Sequence, residues 1–112
     1  MHEMSLAEGI LGIAKDYAEQ NGAKKVTKIA LLIGEMAGVE TDSLEFCLHT
    51  VIKETIADGA AIEIKHVPLV GCCTMCGKER HIEKYNFVCP DCGGVLDTVS
   101  GREMRVDYLE ME

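Results

Sequence analysis

The chain has 112 residues, of which 47% are apolar, so it can form one compact domain, or a small core with a metal-stabilised lobe. It has no Trp, two Phe and three Tyr, so its core must be built mainly from aliphatic side chains and Met. The formal charge of −8, from 19 acidic and 11 basic residues, opposes binding to phosphate backbones, and we expect no nucleic-acid partner.

The N-terminal residues do not resemble a targeting segment. Glu3 and Glu8 stand where a secretory signal would be basic and then apolar. The longest apolar run, residues 29–33, is much shorter than the roughly 18 residues of a membrane-spanning helix. We therefore expect a cytoplasmic protein that does not bind membranes. In that reducing compartment, clustered cysteines are metal ligands more often than disulfides.

The first predicted element is a helix at about residues 6–21. Ser5 and Glu8 have the spacing of a capping box, and an Asn-Gly pair follows as a typical helix end. Apolar side chains recur at helical spacing on Leu6, Ile10, Ile13 and Tyr17. The next segment, residues 26–33, is apolar and β-branched, which predicts a strand buried on both faces.

A second helix is predicted to begin at one of three candidate N-caps and to end at the Asp-Gly pair of residues 58–59. The candidates are Thr41, Asp42 and Ser43. The apolar stripe of this helix is Leu44, Leu48, Val51, Ile52 and Ile56. Residues 62–67 then alternate between apolar and polar, and Pro68 follows, which indicates a half-buried strand.

Residues 71–100 differ in composition from the rest of the chain. They hold five of the six cysteines, four glycines and few large apolar residues, so we expect no core of their own. Two C-x-x-C pairs, separated by twelve residues and each followed by glycine, place four thiolates where they can reach one ion. The predicted ligands are Cys73, Cys76, Cys89 and Cys92. Four soft ligands in a tetrahedron suit Zn²⁺, and a closed site of this kind is structural.

The cysteine spacing leaves alternatives to zinc open. The same four cysteines can form two disulfides, remain free thiols or hold a rubredoxin-like iron. Cys72 adjoins Cys73 and would pair with Cys76 at x3 spacing, but only Cys73 matches the spacing of the second motif. Cys47 lies among apolar residues of the second predicted helix, which indicates an ordinary core cysteine.

Apolar and polar residues alternate again from residue 103, which predicts a last strand with Met104, Val106 and Tyr108 on one face. The predicted fold class is therefore α/β (α+β), with two helices packed on a small three-stranded sheet and an inserted zinc-ribbon lobe. The predicted domains are an α/β lobe, residues 1–70 plus 101–112, and the zinc-ribbon lobe, residues 71–100.

The N-terminus offers a second set of metal donors. His2 brings together the terminal amine, its own backbone amide and its imidazole, and such nitrogen sets favour Ni(II) or Cu(II) in planar or tetragonal geometry. The motif on its own is weak, because a His at position two is usually a solvated terminal residue.

The whole chain resembles the HypA/HybF family, the nickel-delivery proteins of hydrogenase maturation. The resemblance rests on Met1-His2-Glu3, on the predicted order of helices and strands, on the two cysteine motifs and on the turn from Gly101 to Met104. It implies a non-enzymatic metallochaperone with Ni²⁺ as cargo, bound at Met1, His2 and Glu3, and a structural Zn²⁺. The doubled Cys72-Cys73 departs from the family's pattern.

The resemblance also implies partners. These are a HypB-type nickel-binding GTPase, the hydrogenase large subunit and, for some members, urease maturation proteins. The alternative function is a zinc-ribbon module acting on nucleic acid or a transcription complex, for which Lys78, Arg80 and Lys84 give a small basic face. A hydrolase is a third hypothesis for the function, but no nucleophile–base arrangement in the sequence supports it. Glu40 or Asp42 is a candidate oxygen ligand to nickel, and His81 a candidate modulator of the zinc site.

Overall fold

The computed structural model describes residues 2–112 and contains two helices, six strands and one short 3-10 turn. The helices are α1 (Glu3–Gln20) and α2 (Thr41–Val51). The strands are β1 (Val26–Gly34), β2 (Ala61–Val67), β3 (Val70–Cys73), β4 (Glu79–His81), β5 (Leu96–Ser100) and β6 (Met104–Met111), and the 3-10 turn is Glu83–Tyr85. Among the described residues, no helix is both long enough and apolar enough to cross a membrane.

The strands form two sheets of three, in the orders β2-β1-β6 and β4-β3-β5. The predicted fold class, two helices with a small three-stranded sheet and an inserted ribbon, is confirmed. The chain divides into two compact units. The first comprises the described residues up to Leu32, Gly38–Lys65 and Arg105–Glu112, and the second comprises Ile33–Ala37 and His66–Met104. The predicted lobe bounds stay a prediction.

The first unit is held by an aliphatic core. Helix α1 buries one face, formed by Ala7, Ile10, Leu11, Ala14 and Ala18, and α2 buries Leu44, Cys47 and Leu48. In β1, Val26, Ile29 and Leu31 are at most 1% exposed, as expected for a strand covered on both faces. The small alanines of α1 allow the two helices to pack closely against each other.

Both helix starts differ from the prediction. Helix α1 begins at Glu3, with His2 as its N-cap, and the His2 carbonyl accepts the Leu6 N–H at 3.1 Å. Ser5 therefore lies inside the first turn and caps nothing. Helix α2 begins at Thr41, and its N-cap is Glu40, whose carboxylate accepts the Asp42 N–H at 3.4 Å. The Glu40 side chain therefore has the capping role that the prediction assigned to Thr41, Asp42 or Ser43.

Helix α2 also ends earlier than predicted, at Val51, and a series of turns follows. The Thr55 hydroxyl donates to the Ile52 carbonyl at 2.6 Å and accepts the Ala57 N–H at 3.1 Å. The Asp58 carboxylate accepts the Glu54 N–H at 3.0 Å. These local side-chain bonds compete with helical ones and explain why the apolar spacing alone overestimated the helix.

Tyr108 was predicted to share one face of the last strand with Met104 and Val106, and it is 41% exposed. Its ring centroid lies 5.2 Å from Lys28 Nζ, and that ammonium is 2.7 Å from the Glu63 carboxylate. The three residues come from β6, β1 and β2, so they form a polar row across the sheet of the first unit. This row raises the pKa of Lys28, mainly through its hydrogen bond to Glu63.

The second unit has a small core that the sequence analysis did not expect. Leu69, Ile82 and Leu96 are buried together with Cys73 and Cys89, and Met36 and Phe87 pack against them. The prediction that residues 71–100 bury no core is therefore wrong, since Ile82 and Leu96 lie within that range. Leu69 and Met36 complete the cluster from outside it.

A close backbone approach in the second unit requires glycine at position 34. The Gly34 N–H donates to the Glu103 carbonyl at 2.6 Å, and the Met36 N–H donates to the Gly101 carbonyl at 2.8 Å. A Cβ on Gly34 would overlap the Gly101 carbonyl and lie 2.7 Å from the Arg102 nitrogen. All of these neighbours are backbone atoms, so no side-chain movement can make room.

We therefore predict that Gly34→Ala destabilises the protein by about 2 kcal/mol or more, because the backbone must shift to admit the methyl group. Gly9→Ala is the matched control: the site is in α1 with nothing within 4 Å of the added Cβ. The control should stabilise by about 0.5–1 kcal/mol through helix propensity. Urea denaturation followed by circular dichroism measures both, and equal midpoints for the two variants would contradict the analysis.

Candidate metal sites

Two matching turns present the four predicted cysteine ligands. In the first, the Cys73 carbonyl accepts the Gly77 N–H at 3.0 Å, and in the second the Cys89 carbonyl accepts the Gly93 N–H at 2.8 Å. Gly77 and Gly93 have φ of 75° and 76°, a left-handed conformation that glycine adopts without strain. The glycine after each C-x-x-C pair therefore lets the chain fold back under its own sulfurs. The C-x-x-C-G pattern has a direct structural cause.

The four sulfurs converge. The Sγ atoms of Cys73, Cys76, Cys89 and Cys92 all lie within 4.8 Å of one another. Between the two turns, the 73–92 pair is 3.3 Å apart and the 76–89 pair 3.9 Å. A tetrahedral site with Zn–S bonds of about 2.3 Å has S···S edges of about 3.8 Å. The cluster therefore fits a four-thiolate Zn²⁺ site without rearrangement of the backbone.

Backbone N–H groups shift the pKa values of three of the clustered cysteine thiols. The N–H groups of Cys76 and Met75 each donate to Cys73 Sγ at 3.4 Å and lower the pKa of Cys73 to about 6. The Asp91 amide, followed by the Cys92 amide, lowers the pKa of Cys89. The Gly94 amide acts in the same direction on Cys92, but the adjacent Cys73 sulfur and burial outweigh it and raise the pKa of Cys92 to about 12. A divalent cation would relieve this crowding of negative charge and displace any thiol protons.

Cys72 is not part of the cluster. Residues 72 and 73 are consecutive in β3, so their side chains point to opposite faces, and Cys73 is the buried one. The Cys72 thiol donates to the Gly77 carbonyl at 3.5 Å. Its partners in the neighbouring strands are Glu79 and Asp97. Strand alternation therefore places the two adjacent cysteines on opposite faces of β3, a distinction that the cysteine spacing alone did not establish.

The predicted nickel residues lie at the start of α1, except that Met1 falls outside the described residues. His2 is exposed, and the Glu3 carboxylate accepts the Glu40 N–H at 3.4 Å. The Glu40 backbone is therefore close to the Glu3 carboxylate, because the helix starts of α1 and α2 meet within the first unit. Within residues 2–112, the four cysteines form the only group of three or more potential ligands already converged. The nickel assignment stays a prediction.

A charged cluster in the second unit was missed by the sequence analysis. His81 Nε2 donates to the Glu35 carboxylate at 2.7 Å, and His81 Nδ1 donates to the Glu83 carboxylate at 2.9 Å. Both ring nitrogens face carboxylates, so the imidazole is held in its doubly protonated form. Glu35 also accepts the Leu69 N–H at 3.1 Å. Because 46 residues separate Glu35 from His81, no local pattern could have indicated the pair.

The charges within this cluster shift each other's titration. The Glu35 carboxylate, followed by that of Glu83, raises the pKa of His81 above its usual 6.5. His81, followed by the Leu69 amide, lowers the pKa of Glu35 below its usual 4.5. The predicted role of His81 as a modulator of the zinc site stays a prediction, since its ring contacts these two acids rather than the sulfurs.

Known proteins resemble this chain both in sequence and in fold. A family model described as "Hydrogenase/urease nickel incorporation, metallochaperone, hypA" matches residues 1–111. The chain is 48% identical over 112 residues to the hydrogenase maturation factor HypA of Azoarcus sp. (strain BH72), with 99% of this chain and 98% of that protein covered. It is 43% identical to the hydrogenase maturation factor HypA of Rhodobacter capsulatus, with 99% of each chain covered.

Two solved structures have the same fold. The solution structure of the Ni metallochaperone HypA from Helicobacter pylori aligns with a TM-score of 0.70 at 24% identity, covering 99% of this chain and 97% of the other. A second match, titled solution structure of HypA protein, gives a TM-score of 0.74 at 23% identity and covers 100% and 97%. At these identities the matches support the fold alone.

We predict that the His81 cluster makes stability depend on pH. A raised histidine pKa contributes stability that is complete below the usual value of 6.5 and is lost as the pH rises through the raised value. Wild type should therefore exceed His81→Gln in urea midpoint at about pH 6, and the difference should shrink towards about pH 9. His66→Gln, at an exposed position of β2, is the control. A pH-independent difference would contradict the prediction.

Proposed function

The chain belongs to the HypA family of hydrogenase/urease nickel-incorporation metallochaperones, and we propose that it binds Ni²⁺ at its N-terminus and delivers it for the maturation of [NiFe] hydrogenase. The proposed ligands are Met1, His2 and Glu3. The observation that carries the proposal is the place of His2 as N-cap of α1, next to a Glu3 whose carboxylate reaches the start of α2. The exposed His2 imidazole and the Glu3 carboxylate are thereby neighbours in sequence at the start of α1.

The position of this site suits a carrier rather than a resident metal. The start of a helix carries partial positive charge, which disfavours a bound cation and weakens the site. Glu3 offsets part of this effect with its negative charge, and His2 is exposed, so a partner can approach and exchange ligands one at a time. His2 and the terminal amine must lose protons to bind, so nickel affinity should fall in acid.

The four cysteines have a different role in the proposal. A four-thiolate site is closed, because the protein supplies all four ligands of a tetrahedral ion and leaves no open position for a substrate. We assign a structural Zn²⁺ to Cys73, Cys76, Cys89 and Cys92, which would stabilise a unit whose core cluster has three buried aliphatic side chains. We propose no enzymatic activity for the chain.

The family indicates partners in maturation, and we propose three. They are a HypB-type nickel-binding GTPase, the hydrogenase large subunit and, as a second route, urease maturation proteins. The cytoplasm is the compartment we propose, because all six cysteines are free thiols and such clusters persist in reducing surroundings.

The second candidate function, a ribbon that binds nucleic acid, has less support. Two of the three basic residues that suggested it, Lys78 and Arg80, contact the Asp91 carboxylate at 3.5 and 2.6 Å. Their charge is therefore partly neutralised within the ribbon itself. The formal charge of −8 also opposes approach to a polyanion.

The zinc assignment predicts that Cys73→Ser and Cys92→Ser lower the zinc content and destabilise the second unit, while the helices of the first unit remain. Cys72→Ser is the matched control, because the neighbouring sulfur lies outside the cluster and its loss should leave one zinc per chain. Metal analysis together with circular dichroism measures both effects. Full zinc occupancy in Cys73→Ser would contradict the assignment.

The nickel assignment predicts that His2→Ala weakens nickel binding at least about tenfold, roughly 1.4 kcal/mol, because it removes the strongest side-chain donor. His66→Ala, another exposed histidine, should have no such effect. Zinc content should stay unchanged in both variants. Calorimetric titration of untagged protein measures the affinity, and an N-terminally extended form tests whether the amine is a ligand. Nickel binding by His2→Ala as tight as wild type would direct the search to Cys72 or the ribbon.

A further inference from the structure

An ion-pair bridge joins the two cysteine turns of the second unit. Asp91 lies between Cys89 and Cys92 in the second turn, and its Oδ2 atom accepts Arg80 Nη2 at 2.6 Å and Lys78 Nζ at 3.5 Å. Both cations belong to the other side of the site, since Lys78 follows the first turn and Arg80 is in β4. The two turns are therefore connected by charge as well as by any metal they share.

The Arg80 guanidinium is held in its contact with the Asp91 carboxylate. Its side chain is 24% exposed, and its Nε atom is buried without a hydrogen-bond partner among the described residues. An unsatisfied buried donor has a cost, so the contact with Asp91 and the surrounding packing must hold the guanidinium in place.

Zn²⁺ and Ni²⁺ prefer different arrangements of four ligands, so a contact that fixes the arrangement affects which ion binds. Zn²⁺ has a filled d shell and accepts the tetrahedral arrangement of four sulfurs. Ni²⁺ with strong donors favours a square-planar arrangement. To convert one arrangement into the other, one cysteine pair must twist relative to the other pair. The bridge through Asp91 ties the two turns together away from the sulfurs and opposes that twist.

We propose that the ion-pair bridge of Arg80, Lys78 and Asp91 makes the four-cysteine site selective for zinc over nickel. This inference rests on the proposed function, in which one chain holds Zn²⁺ and carries Ni²⁺. A carrier whose structural thiolates captured the cargo would lose both its fold and its delivery. Arg80, Lys78 and Asp91 are positioning residues here, because they act through the two turns and contact no metal in the proposal.

The test is metal exchange in the zinc-loaded full chain. Excess Ni²⁺ is added, the sulfur-to-nickel charge-transfer absorption reports nickel at the cysteines, and a chromophoric chelator reports released zinc. The proposed N-terminal site has nitrogen and oxygen donors, so it adds no such absorption. The variants are Arg80→Met and Asp91→Asn, and Arg102→Met is the matched control, since Arg102 contacts Thr98 rather than Asp91.

We expect nickel occupancy of the cysteines to rise about threefold to tenfold in both variants, because the bridge is partly exposed and such ion pairs have modest effects. Lys78→Met should give a smaller rise, in line with its longer contact, and Arg102→Met none. The charge-swapped pair Arg80→Asp with Asp91→Arg should restore selectivity towards wild type. A role in stability alone would speed zinc release without raising nickel at the sulfurs.

Unchanged nickel occupancy in Arg80→Met and Asp91→Asn would overturn the inference, and so would variants that lose zinc without gaining nickel. Should Arg80→Met fail to fold, Asp91→Asn decides alone, because Asn keeps the backbone amide and nearly the same shape. Failure of the proposed function looks different: the wild-type chain itself would then hold no zinc at the cysteines, or bind no nickel elsewhere.

Discussion

Convergence of four cysteine sulfurs within 4.8 Å is the constraint on which the second unit depends. Sulfurs this close repel one another once ionised, so the arrangement needs compensation from donors and cations. Backbone amides supply part of it, at Cys73 and at Cys89, and each amide is aimed by a turn that glycine makes possible. The remaining charge calls for a divalent ion. A small core of three aliphatic side chains is then sufficient if the site is filled, because a bound metal would supply the rest of the stabilisation.

Charge compensation extends outward from the sulfurs in the same unit. Arg80 and Lys78 meet Asp91 beside one turn, and His81 meets Glu35 and Glu83 on the neighbouring strand. In an acidic chain, three of the few basic side chains of this unit are thus used internally. Little positive charge remains for a polyanionic partner, which is a structural reason to favour protein partners over nucleic acid.

The sequence was most informative where structure is local. The four candidate cysteine ligands follow from spacing and from the glycine after each pair. Apolar periodicity predicted both helices and the strands of the sheet β2-β1-β6, but it did not predict β3, β4 or β5. Boundaries failed where a single side-chain bond decided them, as with Glu40 at the start of α2 and Thr55 after its end. The Glu35–His81 pair was beyond prediction, because a contact across 46 residues leaves no periodic signal. The core around Leu69 was missed because Leu69 and Met36 precede the cysteine segment in sequence and pack onto side chains within it.

The two metals that we propose for this chain pose opposite requirements, and different donor atoms would meet them. A resident ion is best held by soft, charged ligands that are all supplied by the protein, with two of the sulfurs buried, as at Cys73 and Cys89. A cargo ion is best held by few ligands at an exposed end, where the helix dipole limits affinity, as we propose at His2. Softness alone does not keep nickel from thiolates, because nickel also binds sulfur. Discrimination must then come from geometry, and geometry can be enforced only by contacts that resist distortion of the ligand set. The bridge through Asp91 is such a contact, since it joins the two cysteine turns without using a sulfur.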